Sequence, residues 1–182
     1  TSHYLGQHIS KTFNIKFLSA HSQEEYVWTT SWGVSTRLIV GLIMTHSDDD
    51  GLILPPRIAP LQVVILPILH KETDRQTILA YCESLANELR DLRYHNKALG
   101  VEIDTRELTG GEKAWSWVKK GVPFRVEVGK KECEAHTVYV GRRDKTYQER
   151  YSQARGEFIN AVLPLLDEIQ AHLLTRAKVF QQ

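Results

Sequence analysis

The chain has 182 residues, 42% hydrophobic and 25% charged, enough for one full core or for one domain with part of another, and it carries no signature of disorder. Its 23 Lys and Arg against 22 Asp and Glu give a formal charge of +1, so any contact with nucleic acid must come from local patches rather than from net charge. Cys82 and Cys133 lie far apart without metal-ligand spacing, no apolar run approaches the roughly 20 residues of a membrane span, and no signal-peptide pattern opens the chain. Free thiols and a soluble, cytoplasmic setting are therefore expected.

The sequence starts at Thr1 without methionine, inside what already reads as working structure, and is read as a fragment. Glu25 to Ser31 is rich in aromatic and β-branched residues, which predicts a strand ended by Gly33. Leu38, Ile39, Leu42 and Ile43 recur at helical spacing before the turn signal Asp48-Asp49-Asp50-Gly51. Residues 51–60 hold three of the six prolines, and because proline lacks an N–H and fixes φ, the domain boundary is expected there, between 58 and 59.

Gln62 to Leu69 is a nearly unbroken apolar run, the pattern of a strand covered on both faces, although periodicity alone leaves a buried helix open. Ile78, Cys82, Leu85, Leu89 and Leu92 mark a helix, and Gly100 to Asp104 a second strand. A short helix at Trp115 to Lys120 leads through Gly121 into Pro123 to Val128, whose alternation predicts a half-exposed strand. His136 to Val140 is a further strand, and a long helix is expected from Thr146 to Ala177 with a kink at Pro164. This order is that of an α/β fold.

Ser31-Trp32-Gly33-Val34-Ser35-Thr36-Arg37 places an arginine on the first turn of a helix behind a strand-ending glycine. Its planar, permanently charged fork suits a phosphate, while from spacing alone an ordinary surface arginine is the commoner reading. The wording of the whole segment from Trp28 to Ile68 resembles the third signature motif of class II aminoacyl-tRNA synthetases and the junction after it, in the form of the archaeal and eukaryotic type of prolyl-tRNA synthetase. Thr1 to Phe17 resembles the loop bordering that family's proline pocket, and Asp104-Thr105-Arg106 with Lys120 to Gly129 resembles its anticodon-binding domain.

The resemblance implies an α/β chain in which residues 1–58 are a remnant of the class II antiparallel sheet plus a helix, and residues 59–182 are a mixed-sheet, three-layer α/β/α anticodon-binding domain. It implies that Arg37 contacts the ATP phosphates as an electrostatic clamp and that Ser31, Trp32 and Gly33 form the floor and wall of a proline pocket, with Thr1 and His3 at its rim. An indole face suits a pyrrolidine ring and a glycine leaves room for it. The implied reaction joins proline to ATP and then to the 3′ end of proline tRNA, with Mg²⁺ on the phosphates and a homodimer as the full-length assembly. The first and second signature motifs are absent here, so the fragment alone is expected to be inactive.

Arg125, Lys131 and Lys145 match positions that read anticodon guanines, Arg125 from an exposed strand position and Lys131 from the following loop. Val118 stands where the family usually has a glutamate, and Lys130-Lys131-Glu132 where it has a Pro-x-Asp turn; a carboxylate can accept from a guanine edge and valine cannot, so either Glu132 takes over that role or anticodon reading is weaker in this chain. Two other readings stand beside this one. The first is a stand-alone tRNA-binding module without catalysis, and the second a class II synthetase of threonyl or histidyl specificity.

Overall fold

The computed structural model describes residues 1–69 and 72–181. It divides into two compact units, Thr1–Met44 and Thr45–Gln182.

In the first unit, β1 (Ser2–Gly6), α1 (His8–Thr12), β2 (Lys16–Leu18), β3 (Glu24–Tyr26), β4 (Thr29–Trp32) and α2 (Arg37–Thr45) follow one another. They form two separate antiparallel ribbons, β1 with β4 and β2 with β3. The single strand expected from Glu25 to Ser31 is thus two, because its halves pair with different partners and the chain breaks at Val27 and Trp28. Nothing larger than Gly6 and Ser10 is buried in this unit, and α2 buries no residue.

The second unit runs β5 (Ser47–Asp48), β6 (Gly51–Leu52), β7 (Val63–Pro67), α3 (Glu72–Arg90), β8 (Arg93–Tyr94), β9 (Lys97–Ala98), β10 (Val101–Ile103), α4 (Gly110–Lys120), β11 (Phe124–Val128), α5 (Lys130–Ala135) and β12 (Thr137–Arg142), then a 3₁₀ turn (Tyr147–Glu149), β13 (Tyr151–Ala154) and α6 (Arg155–Phe180). Its main sheet has the order β10-β7-β11-β12-β13; the first three strands are parallel, while β12 and β13 return antiparallel. A mixed three-layer α/β/α sandwich results.

The apolar run of β7 is buried on both sides because alternate residues enter different cores. Val63 and Ile65 join the large core with Leu85 and Leu89 of α3, Val126 of β11 and Phe158 of α6. Val64 and Leu66 meet Trp117 of α4 on the opposite face. Helices α3 and α6 therefore cover one face of the sheet, and α4 the other.

Two expectations need correction. The first nine residues of the expected last helix, Thr146 to Ala154, hold the 3₁₀ turn and the edge strand β13; Thr146 opens the turn, its N–H and hydroxyl both donating to the Glu149 carboxylate, and helical spacing of apolar residues starts only at Phe158. Pro164 lies inside α6. Strand β11 is buried rather than half exposed, since Phe124, Val126 and Val128 fill the core and Arg125 is covered from the other face.

The proline-rich segment packs within the second unit. Leu54 donates its N–H to the Gly121 carbonyl at 3.2 Å, and Ile53 is 3% exposed. Gly51 has φ +134° and Gly121 φ +75°, and a Cβ on either would stand 2.6 Å from backbone of the facing segment, at Lys119 and Leu52 respectively. Only glycine permits both that conformation and that approach.

Candidate nucleic-acid interface

On the face of the sheet beside α4, side chains spaced by two along β11 and β12 form a polar strip. Arg125 lies opposite Gly141, and Glu127 opposite Tyr139. The missing side chain at Gly141 makes room for Arg125, whose Nη2 would sit 3.2 Å from a Cβ there. Arg150 covers the strip, bonding Glu127 at 2.8 Å and lying 3.6 Å and 5.0 Å from the ring centroids of Tyr147 and Tyr139.

The cations around this strip are mostly occupied. Arg142 forks onto Asp144 through Nε and Nη2 at 3.0 and 2.9 Å and reaches Glu168 at 2.9 Å. Burial pushes the Asp144 carboxyl up, but Arg142 and His172 outweigh it and hold it below the usual range. Arg143, also buried, pairs with Asp48 and donates to the carbonyls of Val118 and Gly51. Lys145 stands 3.8 Å from Glu149.

Arg125 is different. It is 5% exposed, its Nη1 has no hydrogen-bond partner, and it makes no ion pair among the described residues. Burial pushes its pKa down, opposed by Glu127 and assisted by Arg143 and Arg150. The expectation of an exposed Arg125 is corrected accordingly: the guanidinium is the buried floor of a cavity of about 140 Å³, walled by Trp115 and Val118 of α4, by Tyr147 and by Lys145. A buried, unpaired guanidinium is costly unless a ligand supplies acceptors. Guanine's O6 and N7 are acceptors of that kind, and flanking rings provide stacking surfaces.

A second cavity of about 400 Å³ lies at the carboxyl end of β11, lined by Glu127, Gly129, Lys130, Lys131, Glu132 and Tyr139. Lys131 and Glu132 are on the short helix α5 rather than in a loop. Glu132 turns its carboxylate back to accept the Gly129 N–H at 2.9 Å, a helix-capping bond that occupies one of its oxygens. The cavity keeps Lys131 and Glu132 together, and Glu127 and Tyr139, which also line it, stand two positions along β11 and β12 from Arg125 and Gly141.

Beneath α4, Asp104 organises the structure. Its carboxylate is 1% exposed and accepts from Trp117 Nε1 at 2.7 Å and from Arg106 at 2.8 and 2.6 Å. Arg106, joined by Trp117, holds its pKa down to about 2 against burial. The Asp104-Thr105-Arg106 wording thus acts by fixing α4, the wall of the cavity, against β10.

The chain's similarity to known proteins agrees with this geometry. The protein-family model described as an anticodon binding domain matches residues 62–164, more than half of the chain. The chain belongs to the anticodon-binding domain family. It is 51% identical over 178 residues to the proline–tRNA ligase of Bdellovibrio bacteriovorus, covering 98% of this chain and 36% of that protein. The proline–tRNA ligase of Akkermansia muciniphila is 48% identical and proline–tRNA ligase 2 of Anaeromyxobacter dehalogenans 45% identical, each over 100% of this chain and 36% of its own length. The chain therefore spans about a third of the length of these curated relatives.

In the first unit, the ribbon of β1 and β4 gathers the other residues singled out by sequence. His3 pairs with Ser31 and Ser2 with Trp32, while the Gly33 N–H donates to the Thr1 carbonyl at 3.0 Å. Alternation places Thr1, His3, Ser31 and Gly33 on one face and Trp32, 81% exposed, on the other. Arg37 opens α2, its N–H bonded to Ser35 Oγ at 3.2 Å and its side chain exposed. What sequence reasoning missed on the anticodon-binding domain is the pair of aromatic walls, Trp115 and Tyr147, and the burial of Arg125. The first could have been suspected from aromatic residues close to basic ones; the second is a product of the turn at 147–149.

Proposed function

We propose that this chain is part of a proline–tRNA ligase of the archaeal and eukaryotic type and that its second unit reads the guanines of the proline anticodon. The observation that carries the reading is Arg125, buried with a free N–H edge toward a cavity flanked by aromatic side chains, in a chain whose relatives are named proline–tRNA ligase. Arg125 donates to one guanine, and Lys131 with the free oxygen of Glu132 contacts its neighbour in the adjoining cavity. Lys145 borders the first site and holds the phosphodiester. Domain assignments of 1–58 to the catalytic part and 59–182 to the anticodon part are kept for function, with 45–58 serving as the structural support of the latter.

Arg37 fits an ATP phosphate, being exposed, always charged and fixed at a helix start. Thr1, His3, Ser31, Trp32 and Gly33 contribute to the proline pocket from the two faces of one ribbon. Mg²⁺ accompanies the ATP phosphates in this reading, and no residue here is proposed as its ligand. ATP, proline and tRNA are the partners of the whole ligase, which we place in the cytoplasm as a homodimer. Among the described residues no helix is long and apolar enough to cross a membrane.

The test is a titration of the chain with a proline anticodon stem-loop and with versions in which each guanine is changed to adenine. The wild type should discriminate, while Arg125→Met and Lys131→Ala should each lose about ten- to a hundredfold on one guanine and discriminate less. Equal weakening on every stem-loop would show that these side chains touch only the backbone and would remove the reading.

A further inference from the structure

A second basic site lies outside the cavities above. Strands β7 and β10 are adjacent and parallel, yet the helices that follow them pack on opposite faces of the sheet, α3 against Val63 and Ile65 and α4 against Val64 and Leu66. The chain leaving one strand therefore diverges from the chain leaving the other, which opens a crevice beyond their carboxyl ends. In parallel α/β sheets such a switch point is where ligands bind. Here the crevice measures about 430 Å³ and lies between Pro67 to Leu69, at and just after the end of β7, and the stretch from Thr105 to Gly110 that leads into α4.

Three cations and one acid line it: Arg75, Arg106, Lys113 and Glu107. Arg106 is neutralised by Asp104. Arg75 and Lys113 make no ion pair and no side-chain hydrogen bond among the described residues, and Lys113 is 3% exposed on the first turn of α4. The stem of Lys113 is covered while its ammonium keeps contact with solvent, so an unpaired positive charge is presented at the crevice. Thr109 caps the helix by exchanging bonds with Glu112, which leaves the N–H of Gly110 directed out of the helix start, where negative charge is favoured.

We propose that this crevice binds a nucleotide phosphate through Lys113, Arg75 and the Gly110 N–H, with Ile68 and Leu108 against the attached sugar or base. Two sources have that chemistry, a phosphodiester of bound RNA and a free nucleotide. RNA is favoured by position: Ile68 also lines the Lys131 cavity, and Gly111, next to Gly110, also lines the Arg125 cavity, so a strand with a base in either passes this crevice. That choice of source rests on the RNA reading above, whereas the phosphate site itself does not.

The experiment has two arms on the full chain, with Arg75→Gln and Lys113→Met and a thermal melt of each to confirm folding. In the first, anticodon stem-loop affinity is measured across a salt series. Each variant should weaken binding about three- to tenfold, by the same factor for every guanine-to-adenine stem-loop, with the slope of log affinity against log salt reduced by about 0.7–1. In the second, AMP is added to isotope-labelled chain. Shifts at the amides of Leu108, Gly110 and Lys113 that vanish in Arg75→Gln support the phosphate site even if wild-type chain binds no stem-loop, and in that case assign it to free nucleotide. Unchanged salt slopes together with an AMP response absent at those amides would overturn the proposal.

Discussion

The two units of this chain spend similar residues in opposite ways. The first carries Tyr4, Phe13, Phe17, Leu18, Trp28, Trp32, Leu38, Ile39 and Met44 exposed, although the sequence of α2 is as apolar as that of many core helices. The second holds almost the whole buried core, from Ile53 to Leu173, and leaves mostly isolated apolar residues outside. Two-stranded ribbons and short helices offer no second layer to cover an apolar face, while a five-stranded sheet with helices on both sides does. Exposed apolar residues in that number make a surface suited to being covered.

The largest expected effect would break this comparison outright. Residues 45–182 alone should unfold in one cooperative thermal transition with a dispersed amide spectrum, while residues 1–44 alone should show neither. A cooperative melt of the first unit would mean that its ribbons are self-sufficient and that the exposed surface needs no cover.

Next, starting the second unit at residue 59 rather than 45 should cost about 4 kcal/mol or more in denaturant unfolding. It removes buried Ile53 and strips Asp48 from the buried guanidinium of Arg143. Equal stability of the two versions would show that 45–58 only lies on the surface.

Asp104→Ala should destabilise the second unit by about 3 kcal/mol, since Trp117 and Arg106 lose a charged acceptor. The pH dependence has a definite sign. The folded Asp104 carboxyl is depressed to about 2, so its contribution is fully present above the ordinary carboxylate value near 4 and is lost as pH falls from there to about 2. Asp104→Ala should flatten that part of the stability curve, and an unchanged acid limb would exclude Asp104 as its cause.

The smallest effect is the most specific. Arg125→Met should leave stability within about 1 kcal/mol of the wild type, or raise it, because an apolar side chain of similar length replaces an unpaired buried charge. The same variant should lose guanine discrimination. Marked destabilisation would mean that Arg125 is structural.

Much of this architecture could be read from residues in isolation. The run from Val63 to Leu66 read as a doubly covered strand and Ile78 to Leu89 as a one-faced helix, because periodicity is local; the start of α4 at Gly110, five residues before the expected Trp115, came only with the structure. Val27 and Trp28 carried no local sign that one apolar stretch would be divided between two partners. Tyr151 to Ala154 likewise became an edge strand only because β12 lay open beside it.

The site divides along the same line. Sequence wording alone singled out Arg125, Lys131, Glu132 and Lys145, and it placed Arg37 on a helix start. Burial of Arg125, occupation of Arg142 and Arg143 by Asp144 and Asp48, and the crevice holding Lys113 were decided by tertiary structure. The physical reason is that a charge's role depends on which acids and which layer come to lie against it, and for Arg143 that acid is 95 residues away.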